Sequence, residues 1–199
     1  MSRSIQQGRK TRERLMDAAA VLIAEHGWGA VTTEMVAERA GLCTALLYYH
    51  FPSVTDLLID ASLRLAQYFG TGVLEGALAQ PGPTGVKQLL GALTPYSAAL
   101  PDSRVFSEIL LAATRYERLR EGLSPMLRGF RAAVATWLHS EGVADPEATA
   151  TVLLATLDGL ILDQVIDPTL STQGFDEPLR RLTGIPQIGA RARQTATSS

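Results

Sequence analysis

From Gln7 to His26 the apolar positions Leu15, Ala18, Ala19, Leu22 and Ile23 recur at three- and four-residue steps, while Arg12, Arg14, Asp17 and Glu25 fall off that face. This is the period of an amphipathic helix, and Gly27 ends it. Thr32 then serves as an N-cap, Val36, Ala37 and Ala40 share one face, and Gly41 supplies a left-handed residue to close a short second helix. After the turn Gly41-Leu42-Cys43 there is room for two helical turns from Thr44 to His50 before Phe51-Pro52 breaks them, because proline disfavours helix at the residue before it.

Ser53 and Asp56 read as a capping box opening a fourth helix that carries Leu57, Leu58, Ala61, Leu65 and Tyr68 and runs toward Ala79. Gly70, Gly72 and Gly76 weaken its second half by ~1 kcal/mol each relative to alanine, which makes that stretch a candidate flexible point. Beyond Pro81-Gly82-Pro83 the pattern predicts helices over Val86 to Leu100 and Asp102 to Leu119. Ser124-Pro125 and Asp145-Pro146 each read as a cap followed by proline at the first helical position, opening helices from Pro125 to Ser140 and from Pro146 to Ile166. The tail after Ile185 is polar and is expected to be disordered.

Composition narrows the class without changing this outline. Of 199 residues 46% are hydrophobic, ample for a buried interior, and aromatics are only 6% while Ala and Leu recur, so an all-α fold is expected. The formal net charge of -2 gives no global basic field, and any nucleic-acid contact must come from local clusters. The densest is Arg3, Arg9, Lys10, Arg12 and Arg14, opposed by Glu13. The single cysteine, Cys43, and the charged start of the chain point to the cytoplasm; the most apolar run, Val152 to Val165, is interrupted by Asp158 and Asp163 and is shorter than the ~20 residues that span a bilayer. His26, His50 and His139 lie on different elements without partners at ligand spacing, so neither metal nor cofactor is expected. Neither a phosphate loop nor a nucleophile elbow occurs, which leaves an enzyme without a catalytic constellation.

The helix from Thr44 to His50 is a candidate reader of the DNA major groove, with Leu47 and Phe51 facing the core. Thr44, Ala45 and Tyr49 would turn toward bases, and Tyr48 and His50 toward phosphates. Thr33 opens the preceding helix, where its hydroxyl and the helix N-terminus suit a phosphate, and Arg9 and Lys10 suit backbone charge beside it. Across this segment Ala18, Ala19, Leu22, Gly27, Thr32, Thr33, Val36, Ala37, Ala40, Gly41, Leu47, Tyr48, His50, Phe51, Ser53, Leu57 and Leu58 stand in the order and spacing of one family: Leu15 to Leu58 resembles the DNA-binding domain of the TetR-type repressors. Val54, Cys43 and Leu46 depart from that pattern, where a lysine, a capping serine and a small hydroxyl residue are usual.

The resemblance implies a helix-turn-helix domain over residues 1–52, a helical ligand-binding and dimerisation domain over 53–185, and the tail 186–199. It also implies a small-molecule effector of unknown identity in a cavity whose walls include Tyr68, Tyr96, Phe106, Thr114, Tyr116, Trp137 and Asp158. Periodicity adds a second partner. The last long helix is apolar nearly all round, with Leu153, Leu157, Leu160 and Ile161 on one side and Ala148, Ala155, Gly159, Leu162 and Ile166 on the other. Together with Leu127, Phe130, Val134, Trp137 and Leu138 on the helix before it, this predicts a homodimer across a two-fold axis. The expected function is a ligand-responsive repressor on double-stranded, palindromic operator DNA; a helical ligand-binding or interaction protein that has lost specific DNA binding is the alternative.

Overall fold

A computed structural model of the chain describes residues 3–69, 75–80, 82, 84, 85, 88, 102–167, 169, 170 and 174–185. Among these residues every regular element is helical. Helix α1 spans Arg3–His26, a single 3₁₀ turn Trp28–Ala30, α2 Thr33–Ala40, α3 Thr44–His50, α4 Val54–Phe69 and α5 Glu75–Leu78. Then follow α6 at Asp102–Ala113, α7 at Glu117–Ser140, α8 at Pro146–Ile166 and α9 at Asp176–Thr183. No helix among the described residues is long and apolar enough to cross a membrane.

The chain forms two compact units, one comprising residues up to Tyr68 with Ala98–Met126, the other Phe69–Ser97 with Leu127 onward. The first is built on α1, whose Leu15, Ala18, Ala19, Leu22 and Ile23 are all buried, as their spacing predicts; Val36, Ala37, Leu47, Leu57 and Ile109 are buried in the same unit. Gly122 lets α4 approach closely: a Cβ there would come within 2.7 Å of Leu63 Cδ1. The second unit buries Ala77, Val134, Trp137, Leu138, Ala150, Leu153, Leu157, Leu179 and Ile185 around one core.

Two expectations need correction. Pro125 lies inside α7 and does not start a helix; the break falls earlier, at Thr114 to Tyr116, where the Thr114 hydroxyl donates to the Leu111 carbonyl at 2.7 Å. Proline in a helix interior typically costs about 3 kcal/mol, but Leu119 and Leu123 are buried just before it, and that burial holds the preceding turns helical. At α8, Pro146 does occupy the first turn, yet Asp145 adopts a left-handed backbone (φ 49°, ψ 54°) and its carboxylate caps nothing. The helix α9 was not anticipated; Leu179 and Ile185 anchor it, and Gly184 closes it in a left-handed conformation. The expected helix over Val86 to Leu100, the glycines at 70 and 72, Tyr96 and the tail 186–199 lie outside the described residues, apart from residue 88 within that helix.

Candidate nucleic-acid interface

The site begins with the α2–α3 turn. The Thr32 hydroxyl accepts the Met35 N–H at 3.3 Å, fixing the start of α2. Gly41 adopts φ 61°, ψ 41°, and the turn closes with Gly41 N–H to Glu38 O at 3.0 Å and Leu42 N–H to Ala37 O at 2.9 Å. This Schellman arrangement needs a residue without a Cβ penalty, which is why glycine stands there. The Arg14 guanidinium donates to the Ala40 carbonyl at 2.6 Å, satisfying a further end of α2 from α1. Cys43 precedes α3 in extended conformation with an exposed thiol and no side-chain cap.

Helix α3 is held by its inner side alone. Leu47 is fully buried and Phe51 nearly so, with the Arg12 guanidinium 4.7 Å above the Phe51 ring. Turned outward are Thr44, Ala45 and Leu46, with Tyr48 at 57% and Tyr49 at 80% exposure. The Tyr48 hydroxyl lies 3.3 Å from Thr33 Oγ1; Thr33, expected at a phosphate, is buried because α2 packs it inward, and Tyr48 is the exposed member of the pair. Tyr49 meets His50 edge-on at 5.0 Å between ring centres; His50 is half-buried, turned toward Gly8 of α1, where a Cβ would lie 3.8 Å from its Cε1.

The basic cluster divides. Arg12 pairs with Asp60 at 2.5 Å and Arg14, though exposed, caps α2, so both have partners within the protein. Arg9 and Lys10 are exposed, with Arg9 3.5 Å from Glu13. On α2, Glu34 and Glu38 are exposed, and Arg39 is held by Glu25, whose carboxyl it keeps below the ordinary glutamate range.

A set of positioning contacts escaped the sequence reading. Trp28 donates its indole N–H to Ser62 at 3.0 Å and its backbone N–H to Glu108 at 2.8 Å, and its ring packs 4.4 Å from Tyr116. Arg118 bridges Asp56 and Asp60, with Asp60 at 2.6 Å; Asp56 also closes the capping box with Ser53 that the sequence predicts at the start of α4. These contacts tie the 3₁₀ turn, α4, α6 and the start of α7 together. The hydrogen-bond partners of Trp28 lie 34 and 80 residues away along the chain and those of Arg118 lie 62 and 58 away, so no local pattern marks them.

The residues named for an effector cavity are spread over both units. Tyr68 is 68% exposed, Phe106 half-buried, Thr114 occupied at a helix end and Tyr116 stacked on Trp28, all in the first unit. In the second, Trp137 is buried with its N–H donated to Gln80 O at 3.1 Å. Asp158 is half-buried, and desolvation pushes its carboxyl up to about 6 against the pull of Arg131. Among the residues named for a dimer face, Val134 is buried in the second unit's own core and offers no outward surface; Leu127 is half-buried. Ala155, Gly159, Leu162 and Ile166 do face outward, together with Ala148 and Val152, opposite buried Leu153 and Leu157.

Two matches cover most of the chain: residues 15–61 match the bacterial regulatory proteins of the tetR family, and residues 86–185 a tetracyclin repressor-like C-terminal domain. The chain belongs to the TetR family of bacterial transcriptional regulators. An HTH-type transcriptional regulator of Mycobacterium tuberculosis, Rv2912c, is 26% identical over 164 residues, covering 79% of this chain and 82% of that one. The HTH-type transcriptional repressor KstR of Rhodococcus jostii is 39% identical over 56 residues, 28% of this chain and 26% of its own. The crystal structure of a transcriptional regulator from Rhodococcus sp. Rha1 shares the fold, with a TM-score of 0.74 at 24% identity, covering 87% of this chain and 94% of that one. This TetR-family protein is thus a DNA-binding transcriptional regulator and not an enzyme.

Proposed function

We propose that this TetR-family regulator represses transcription in the cytoplasm by binding a palindromic operator as a homodimer, and that a small-molecule effector releases it. The observation that carries the reading is α3: a short helix anchored by Leu47 that presents Thr44, Ala45, Tyr48 and Tyr49 to solvent beside the Thr33 hydroxyl. Such a helix fits the major groove with its first turn at base edges. Residues 1–52 act as the DNA-binding domain, 53–185 as the effector and dimerisation domain, and 186–199 as a tail.

The outward stripe on α8 supports the dimer, since a second copy would cover aliphatic side chains that this chain leaves in water. Two reading helices about one DNA turn apart, ~34 to 36 Å, then match a palindrome. A mostly neutral, apolar effector suits the aromatic residues of the helical domain. Asp158 and the buried Gln164, whose Oε1 has no hydrogen-bond partner, offer it polar handles. Complete release requires ~5.5 kcal/mol of differential affinity between the two conformations, shared by two sites in the dimer.

The test is binding to DNA fragments flanking the protein's own gene over a range of salt, alongside Tyr49→Ala. Arg9 and Lys10 from each subunit predict a log–log salt slope of roughly -4, for about four neutralised phosphates. Tyr49→Ala should weaken binding roughly tenfold or more with the slope nearly unchanged. The alternative, a ligand-binding protein without specific DNA affinity, draws support from the internal use of Arg12 and Arg14; absence of any salt-sensitive, site-specific binding across a whole-genome fragment selection would favour it.

A further inference from the structure

The strongest discriminators of base identity in the major groove are paired hydrogen bonds: arginine or lysine to guanine, asparagine or glutamine to adenine, and a carboxylate to cytosine. None of these residue types occurs in α3, which reads Thr-Ala-Leu-Leu-Tyr-Tyr-His from Thr44 to His50. Its neighbours do not make up the lack. Arg12 and Arg14 each donate to a partner within the chain, Asp60 and the Ala40 carbonyl, and Arg39 is held by Glu25. The exposed charges on the outer part of α2, Glu34 and Glu38, repel phosphate.

The polar tips of α3 itself are partly committed, since the Tyr48 hydroxyl lies beside Thr33 and His50 turns toward α1. At the first turn, the part of a reading helix that meets base edges, Thr44, Ala45 and Leu46 remain uncommitted and exposed. On a helix turning about 100° per residue, Ala45 points directly away from buried Leu47, with Leu46 on its flank. An exposed leucine beside an exposed alanine gains nothing from phosphate or from the polar edges of guanine and cytosine. The apolar group in the groove is the C5 methyl of thymine.

We propose that this regulator identifies its operator chiefly through thymine methyl groups, which pack against Ala45 and Leu46, with the Thr44 hydroxyl supplying the direct polar contact. The proposal rests on the DNA-binding reading above. It makes Leu46 a specificity-determining residue where the family pattern has a small hydroxyl side chain.

Duplexes selected from a random pool by the purified full-length protein provide the probe. Each thymine of the selected site is then replaced by deoxyuracil, which keeps the pairing and the phosphate charge and removes only the methyl. Burying one methyl corresponds to about a fourfold change in affinity. At one or two thymines per half-site, deoxyuracil should therefore weaken binding about fourfold, and about fifteenfold when both half-sites are changed, with the salt slope unaltered. In Leu46→Ala the thymine-to-deoxyuracil difference should shrink toward unity at the position Leu46 covers. Affinity unchanged at every deoxyuracil would overturn the proposal while leaving DNA binding intact, as would undiminished discrimination at all positions in Leu46→Ala. Failure of the selection to enrich any sequence would instead remove the DNA-binding reading itself, and this proposal with it.

Discussion

Helices α3 and α8 both leave large side chains in solvent, and the chemistry of what they expose differs. On α3 the exposed large groups are mainly Tyr48 and Tyr49, flanked by Thr44, and each carries a hydroxyl. On α8 they are Val152, Leu162 and Ile166, at 51%, 40% and 74% exposure, spaced around Ala155 and Gly159 with no polar atom among their side chains. An aromatic ring with a polar tip suits a wet boundary, where one edge meets water or phosphate while the body is covered. An aliphatic stripe gains only when water leaves it entirely. Similar exposure therefore suits different partners, nucleic acid at α3 and a second copy of the chain at α8 as proposed. The anchoring differs too. Leu47 and Phe51 fix α3 by one edge, which leaves its outer side free to vary, whereas α8 is packed along its whole inner side by Ala150, Leu153, Leu157 and Ile161.

The contrast can be broken most sharply at Leu162. Leu162→Lys places a charge in the middle of the α8 stripe, where desolvating it is expensive. It should yield monomers in sedimentation velocity and lower operator affinity a hundredfold or more, about 3 kcal/mol. A variant that remains dimeric with wild-type affinity would take α8 out of the interface.

Asp158 marks the border between the inner and outer sides of α8. Because burial raises its folded pKa to about 6, the folded state holds a proton that the unfolded chain has already released between pH ~4 and ~6. Stability should fall as pH rises through that window, and the penalty is complete at pH 7. Asp158→Asn should therefore stabilise the protein by about 1 to 2 kcal/mol at pH 7, allowing for solvent screening, and flatten the slope in urea unfolding followed from pH 4 to 7. An unchanged slope would show that this carboxyl is well solvated.

The smallest effect is expected at Tyr48→Phe, which keeps the ring and removes the hydroxyl beside Thr33. A three- to fivefold loss of operator affinity, ~1 kcal/mol, with the oligomeric state unchanged in the same preparation, is the expected outcome. A loss of dimer instead would mean that the two surfaces are coupled.

The borders of α2 and α3 could be read in advance because each is set by a residue acting on its immediate neighbours: the Thr32 cap, the left-handed Gly41, and proline after Phe51. The two sides of α8 could be read for a similar reason, since helical period alone sorts Leu153 and Leu157 from Ala155, Leu162 and Ile166. At Pro125 the same local reasoning misplaced a boundary, because the burial of Leu119 and Leu123 outweighed the proline. Helix α9 went unseen because its short apolar pattern gains meaning only from the core that Leu179 and Ile185 enter.

Sequence by itself therefore determined the all-α class, the helix-turn-helix with Thr44, Ala45, Tyr48 and Tyr49 outward but not Thr33 or His50, and the doubly apolar character of α8, all of which follow from backbone preferences and periodicity within a few residues. Only the tertiary structure decided that Arg12 and Arg14 have partners in Asp60 and the Ala40 carbonyl, that Val134 is core, and that Trp28, Glu108 and Arg118 join the 3₁₀ turn, α4, α6 and α7. The physical reason is distance along the chain. A charge or an aromatic ring acquires its role from the group that folding brings to it, and those groups lie tens of residues away.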